Sequence, residues 1–452
     1  MKTFHVFGKV AVFLILTGAF ILFPASLVNA QNNTKSDGFR LTLDEAVEFS
    51  RSQNKMVQAA AAAQSATGED RKDAYKAALP FVNASASYQR FSDLTLFEDG
   101  LSHSTTGPRK PTPNAGTLGI DALFNIYSGG KQRALQSEHD AHLKLAELNT
   151  TDQAGSIAMQ TAVKYLDMVL LNDLHNFILD QLKRAQTRLK NINSLYRNQK
   201  ITRSDVLRAE VMRSNVELAL QQNENDMLIA NQQLNIFMNI PDSVRILPAD
   251  SAGMHKPELT TILDLTKGAR LNSYEVQKAN QRIDIQRAKI RGVQSSSLPS
   301  INFYTAYGLN YPNYLFYPPV DQAYSIGFVG LRAQYSISSI YHNKSKVSAS
   351  KLREKELEWQ QRAVADKVRA EANAYYIKYK EALTRISVNE RSVEQAKVNY
   401  RIVSTKYFNQ LTLLTDLLDA DNLLQESRIN LIKAQTDAIA IYYRILYTSG
   451  NL

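Results

Sequence analysis

From Lys131 to about Asn198 the chain contains no proline and one glycine, Gly155. At 1.5 Å of rise per residue, a helix of about 65 residues spans about 100 Å. No ordinary domain encloses such a helix, so the stretch predicts a rod packed against other rods. A second stretch of the same kind follows Ile340-Tyr341 and runs to about Tyr407. The 452 residues are 44% hydrophobic, which is enough to bury a core along rods of that length.

The order of segments repeats. Leu41 to Ala78 reads as helix and stops at Leu79-Pro80; Glu258 to Ser297 reads as helix and stops at Leu298-Pro299. Each is followed by a strand, a loop rich in proline, a second strand and a very long helix. Ile126-Tyr127 and Ile340-Tyr341 precede the two long helices. At a constant offset of 211, Tyr196, Asn198, Gln199, Asp205, Leu207 and Ala209 recur as Tyr407, Asn409, Gln410, Asp416, Leu418 and Ala420. Six identities in a fourteen-residue window, inside a matching segment order, read as an internal duplication. Residues 31–240 form the first repeat, with strands about 81–91 and 117–127. Residues 258–452 form the second, with strands about 300–310 and 323–337. A proline-marked linker, 241–257, joins them.

The last helix places Leu413, Leu417, Ala420, Leu424, Ser427, Leu431, Ala434, Ala438, Ile441 and Ile445 at alternating four- and three-residue steps. That 3.5-residue period predicts a left-handed supercoiled seam. Val206, Ala209, Val216, Leu220, Met227, Ala230, Leu234 and Phe237 keep much of it in the first repeat. A lone antiparallel hairpin would also show such a seam; the length of the rods favours a larger array.

The strands carry an independent message. Ile301, Phe303, Thr305, Tyr307 and Leu309 share one face, and Asn302, Tyr304, Ala306, Gly308 and Asn310 the other. Val82, Ala84, Ala86 and Tyr88 alternate with Asn83, Ser85, Ser87 and Gln89. One apolar or small face and one polar face, on strands of about 9 to 11 residues, is the pattern of a tilted membrane strand, although a solvated sheet alternates too. Four strands cannot close a barrel, which takes about eight, and open edges in lipid leave backbone groups unsatisfied. Strands in a membrane therefore require several chains to share one barrel.

Met1 to Ala30 reads as a secretory signal, with Lys2 and Lys9 at its start, an apolar run from Val10 to Phe23, and Val28-Asn29-Ala30 as cleavage site. No other segment is long and apolar enough for a transmembrane helix. The formal charge of +10 suggests nucleic acid, but export removes that partner. The absence of cysteine excludes disulfides, thiolate metal sites and cysteine nucleophiles. Gly129-Gly130-Lys131 lacks the spacing of a phosphate loop and reads as a turn. Glu138, His139 and His142 fall within about one turn but lack the spacing of a zinc helix. Glu354, Glu356 and Glu358 read as a solvated face. No catalytic constellation can be assembled, and neither a cofactor nor a metal is expected.

The duplicated helix–strand–strand–helix units, the Leu-Pro pairs and the Tyr-x-Asn-Gln…Asp-x-Leu repeat together resemble the TolC-type outer-membrane efflux proteins. Phe124-Asn125-Ile126-Tyr127-Ser128-Gly129-Gly130-Lys131 is similar to that family's exit from strand into long helix. The resemblance covers the chain beyond the signal. It implies a mainly α fold with a small β part. Three copies would form a long coiled-coil α-barrel in the periplasm and a shared twelve-stranded β-barrel in the outer membrane of a Gram-negative bacterium. It implies a passive exit duct whose partners are a periplasmic adaptor, an inner-membrane transporter of the resistance-nodulation-division or ABC type, and outer-membrane lipid.

The resemblance also implies site residues. An acidic ring at the periplasmic entrance falls on Asp416 and Asp419, three apart on one helix face. Six carboxylates around one pore would repel, raising their pKa values, and would attract cations. The alternative is that Thr415 and Asp416 cap a helix N-terminus. Hydrogen bonds that hold the entrance shut fall on Asp205, Ser204 and Tyr407. Where the family usually has a helping basic residue this chain has Thr412, and Arg203 or Arg208 stands nearby. The rival to the duct is an exported coiled-coil scaffold without a channel; an enzyme is a distant third.

Overall fold

The computed structural model describes residues 39–92, 96–97, 100–105, 112–254, 256–313, 315 and 320–452. The secretory signal expected over residues 1–30 lies outside them. In chain order the elements are β1 (Phe39–Leu41), α1 (Leu43–Gln53), α2 (Lys55–Lys76), β2 (Phe81–Arg90), β3 (Leu96–Phe97), β4 (Ser104–Thr105), β5 (Asn114–Tyr127), α3 (Lys131–Arg197), α4 (Arg203–Met238), β6 (Ile246–Pro248), α5 (Leu259–Asn272), α6 (Tyr274–Ser295), β7 (Ser300–Tyr311), β8 (Tyr324–Gln334), α7 (Ser339–Phe408) and α8 (Leu414–Thr448).

The rods are very long: α3 has 67 residues and α7 has 70. α4 packs along α3, and α8 along α7, burying the supercoil seams. Val206, Ala209, Val216, Ala230 and Leu234 are buried on α4, as are Leu417, Ala420, Leu424, Ser427, Ala434, Ala438 and Ile445 on α8. Leu413 departs from the predicted seam: it is the residue before α8 and is 70% exposed. None of the helices among the described residues is long and apolar enough to cross a membrane.

Each predicted first helix is broken once. Asn54 stops α1 because its side chain competes with the backbone: Oδ1 accepts from Met56 N (2.8 Å) and Nδ2 donates to Phe237 O (2.8 Å). Extended backbone at Ser273 separates α5 from α6. The proline-marked segment 241–257 is more than a linker. Its strand β6 pairs in parallel with β1, Phe39 opposite Ile246. Tyr165 of α3, fully buried, anchors this clip: its hydroxyl lies 2.6 Å from Leu41 O and 2.9 Å from the Asp250 carboxylate.

β2, β5, β7 and β8 form one antiparallel sheet in the order β2-β5-β7-β8. Residues directly opposite share a face, so the register shows whether the alternation is continuous across strands. It is. Val82 pairs with Ala122 and Ala84 with Ile120; Ile120 in turn pairs with Tyr307, and Thr305 with Val329. The opposite face carries Asn83, Asp121 and Asn302, with Asn83 Nδ2 bonded to the Asp121 carboxylate (3.2 Å) and Ser87 to Thr117 (2.7 Å). Gly119 lies opposite Gly308, an approach so close that a methyl group on Gly308 would sit 3.1 Å from Leu118 O.

Gly129 and Gly130 turn β5 into α3 with φ of +62° and +87°. A side chain at Gly129 would also collide with the second repeat, 2.6 Å from Leu298 Cβ and 2.7 Å from Ser295 O. The turn of one repeat is thus seated on the Leu-Pro stop of the other.

The candidate entrance site

At the end of the rods away from the sheet, the chain reverses twice, and the two reversals are built alike. α3 ends with Gln199 in the left-handed region (φ +64°), and Lys200 N donates to Leu195 O at 2.9 Å. α7 ends with Gln410 at φ +60°, and Leu411 N donates to Lys406 O at 2.9 Å. Each bond satisfies a carbonyl left orphaned at a helix end. The next helices begin at Arg203 and Leu414, again 211 apart.

Asp205 and Asp416 occupy equivalent places, and both hold the first turn of their helices. The Asp205 carboxylate accepts from Thr202 N (3.1 Å) and Thr202 Oγ1 (2.8 Å), while Asp205 N donates back to that hydroxyl (3.3 Å). Asp416 accepts from Leu413 N (3.1 Å) and from the Thr412 hydroxyl. The second turn has leucine where the first has threonine, so its hydroxyl comes from one residue earlier. Thr412, at the position where a basic residue was the expectation, therefore serves the cap; Thr415 does not. The Thr412 hydroxyl, then the Leu413 N–H, hold the Asp416 carboxyl below its ordinary pKa. The raised value inferred from the sequence needs the carboxylates of sister copies; inside one chain the shift runs the other way. Asp419, one turn further, is exposed, as Asp416 is.

Tyr407 is only 5% exposed and packs among Ile192, Val206, Ala209, Leu414 and Leu417, where the two repeats meet. Its hydroxyl is buried without a hydrogen-bond partner. Burial, then the nearby Asp205 charge, pushes its pKa up. The Asp205 carboxylate bonds to Thr202 within the chain, and no hydrogen bond joins it to Tyr407. Ser204 and Arg208 line a shallow groove of about 300 Å³ with Leu207, Val211, Met212 and Leu418; Arg203 is exposed beside it.

The strongest charge contact at this end was not foreseen. Asp421, 4% exposed, binds Arg188 of α3 through Oδ2 to Nη2 at 2.6 Å, with Arg184 Nε 3.9 Å from Oδ1. Burial alone would lower the Arg188 pKa, but the Asp421 charge and hydrogen bond raise it above its ordinary value. The pair ties the first repeat to the last helix. Its signal in the sequence was the four-residue step from Arg184 to Arg188 beside the buried Ala185 and Ile192. Further up the rods, Glu138 lies 3.8 Å from both His142 and Lys289. Glu354 is paired with Arg287 at 2.9 Å. Among the described residues no group of three potential metal ligands is gathered.

Two sets of paired rods, each contributing two strands to one open sheet with an apolar face, and a single clip at the waist define a class of duplicated rod-and-sheet proteins. The family model for outer membrane efflux proteins matches residues 47–239 and 265–447, one match per repeat, and the chain belongs to that family. Among solved structures it is similar to the outer-membrane channel OprN, at 16% identity and a TM-score of 0.74, over 91% of this chain and 90% of that one. It is similar also to the outer membrane protein VceC of Vibrio cholerae (16% identity, TM-score 0.73, 90% and 96% covered). The CmeC outer membrane channel of Campylobacter jejuni follows (15% identity, TM-score 0.71, 90% and 85% covered). At these identities the likeness is one of fold. A search of curated proteins finds no match.

Proposed function

We propose that this protein is a passive outer-membrane exit duct. In this reading three copies share a twelve-stranded barrel, and the rods of all three enclose a channel through the periplasm. An inner-membrane pump of the resistance-nodulation-division or ABC type delivers the cargo, and a periplasmic adaptor joins pump to duct. The observation that carries the reading is the sheet: an apolar face continuous across four strands and largely exposed, with Val82, Leu118, Ile120, Tyr307, Val329 and Leu331 all more than half exposed. An apolar surface of that extent needs lipid or a partner against it. The outer edges of β2 and β8, unpaired among the described residues, need strands from further copies.

The rods, too, leave faces open for neighbouring copies. α4 carries a second stripe, Leu207, Val211, Leu218, Ile229 and Ile236, exposed in the single chain; α7 carries Ile377, Val388, Val398 and Ile402. By the duplication, α7 corresponds to α3 and α4 to α8. Contact between α4 of one copy and α7 of the next therefore reproduces the α3–α8 contact inside the chain. At the entrance, Asp416 and Asp419 of three copies form an acidic ring that favours cations. Tyr407, Asp205 and Ser204 form the closing contacts between neighbouring helices when the entrance is shut.

The direct test is extraction followed by recording. An integral barrel stays with membranes through salt and alkali and leaves only with detergent, and the purified trimer gives discrete conductance steps in planar bilayers. A protein washed off by alkali, or a stable monomer that passes no ions, is the scaffold instead. Replacing both ring residues, Asp416→Ala with Asp419→Ala, is expected to abolish most of the cation preference. Unchanged selectivity removes the ring from the mechanism.

A further inference from the structure

All four junctions between the sheet and the helices lie at one end of the sheet: α2 into β2, β5 into α3, α6 into β7, and β8 into α7. Charge there is one-sided. Residues 72–80, 128–138, 287–299 and 335–354 hold eleven lysines and arginines against three acidic residues, Asp73, Glu138 and Glu354. Some of these cations are paired: Lys72 with Glu69, Arg287 with Glu354, Lys289 with Glu138. Lys76, Lys131, Arg133, Arg291, Lys344 and Lys346 are exposed, and none takes part in an ion pair among the described residues.

Height along the rods makes this belt specific. Lys131 opens α3 four residues after β5 ends, and Lys344 and Lys346 lie in the first two turns of α7. At 1.5 Å per residue Lys131 stands about 6 Å beyond the end of its strand, and Lys344 and Lys346 about 8 to 10 Å beyond the first residue of α7. A bilayer's headgroup layer extends about 5 to 7 Å beyond its hydrocarbon, within reach of side chains this long. Between the apolar face and the cations stand exposed Tyr127, Tyr335 and Tyr341, aromatic residues of the kind a barrel places at a lipid–water boundary. From apolar band through aromatic ring to unpaired cations, the sequence of chemistries matches hydrocarbon, interface and anionic headgroup.

We infer that this belt binds the anionic phospholipid headgroups of the leaflet facing the rods, with three copies supplying eighteen otherwise unpaired cations. The inference rests on the membrane reading above, and its test separates the two. The full-length trimer is reconstituted with spin-labelled phosphatidylglycerol or phosphatidylcholine, and the motionally restricted fraction of each lipid is measured. Phosphatidylglycerol is expected to associate at least about fivefold more strongly, the worth of a single cation at a membrane surface. The preference is expected to collapse in a variant carrying Lys131→Gln, Arg133→Gln, Lys344→Gln and Lys346→Gln, and in about 1 M salt. It persists in Lys344→Arg with Lys346→Arg. Inorganic phosphate acts no more strongly than chloride at equal ionic strength, because the site is a surface of headgroups. Equal association of the two lipids, an unchanged preference in the glutamine variant, or specific competition by phosphate overturns the inference. Conductance in bilayers of phosphatidylcholine alone reports separately on the barrel: intact steps with no lipid preference defeat only the headgroup site.

Discussion

The α3–α8 contact inside the chain and the faces of α4 and α7 that occupy the equivalent places follow one plan and differ in charge. The first is fastened by Arg188 and Asp421, both nearly dry. Their counterparts across the 211-residue offset are Asn399 and Glu210, which cannot form an ion pair. In the proposed trimer the duplicated rods thus make one contact fixed by buried charge and another, between copies, that lacks this pair. A buried pair resists separation because parting it strands a charge, whereas an apolar stripe parts in proportion to its area. In the proposed trimer the seam between copies is the one free to open.

The largest effect expected from breaking this contrast is that of Arg188→Ala. It leaves Asp421 buried without its cation and costs about 3 to 5 kcal/mol, read as a lower denaturant midpoint. Arg188→Met with Asp421→Leu recovers most of that loss; a double variant as unstable as the single one shows that the pair is not the fastening. Next comes Leu218→Glu on the open face of α4. It forfeits about 1.5 to 3 kcal/mol per contact between copies and lowers the cross-linked trimer fraction. The helical content of the chain stays unchanged. Loss of that content would mean that Leu218 serves the chain's own packing.

Asn399→Arg sharpens the comparison from the other side, giving Glu210 of the next copy a cation. Being nearer solvent, this new pair is worth about 0 to 1 kcal/mol. The expected readout is a shift of single-channel records toward closed states, and longer openings count against the pairing of α4 with α7. The smallest effect concerns the caps. Asp416 titrates below its unfolded value of about 3.9, so its contribution is present above that pH and fades as pH falls through the folded value. Asp416→Asn is expected to flatten this acid limb slightly, and a curve that coincides with wild type removes Asp416 from the cap.

Much of the architecture was legible because it follows from periodicities. The absence of proline gave the rods, the 3.5-residue step gave the seams, and the period of two gave the sheet's faces. Their order identified the repeats. What escaped depends on contacts between distant segments. Asn54 breaks a helix through a carbonyl of Phe237, and β6 pairs with β1 from over 200 residues away. Nothing local announces either. The capping role of Asp416 was legible as an alternative. Its partner was not, because the hydroxyl sits at Thr412, one place earlier than in the first repeat. Asp421 escaped because it flanks the seam two residues past Asp419, where an acidic side chain reads as solvated.

The seating of Gly129 against Leu298 and Ser295 gives the chain a close-packed collar. With no room there for even a methyl group, the turn of one repeat sits closely against the other. Any movement must then grow with distance from that collar, as in a tripod whose feet splay while its head stays bolted. For rods of about 100 Å, one degree of tilt carries the far tips about 2 Å. In the proposed duct, a motion too small to disturb strand pairing is thereby magnified into a change of bore at the opposite end.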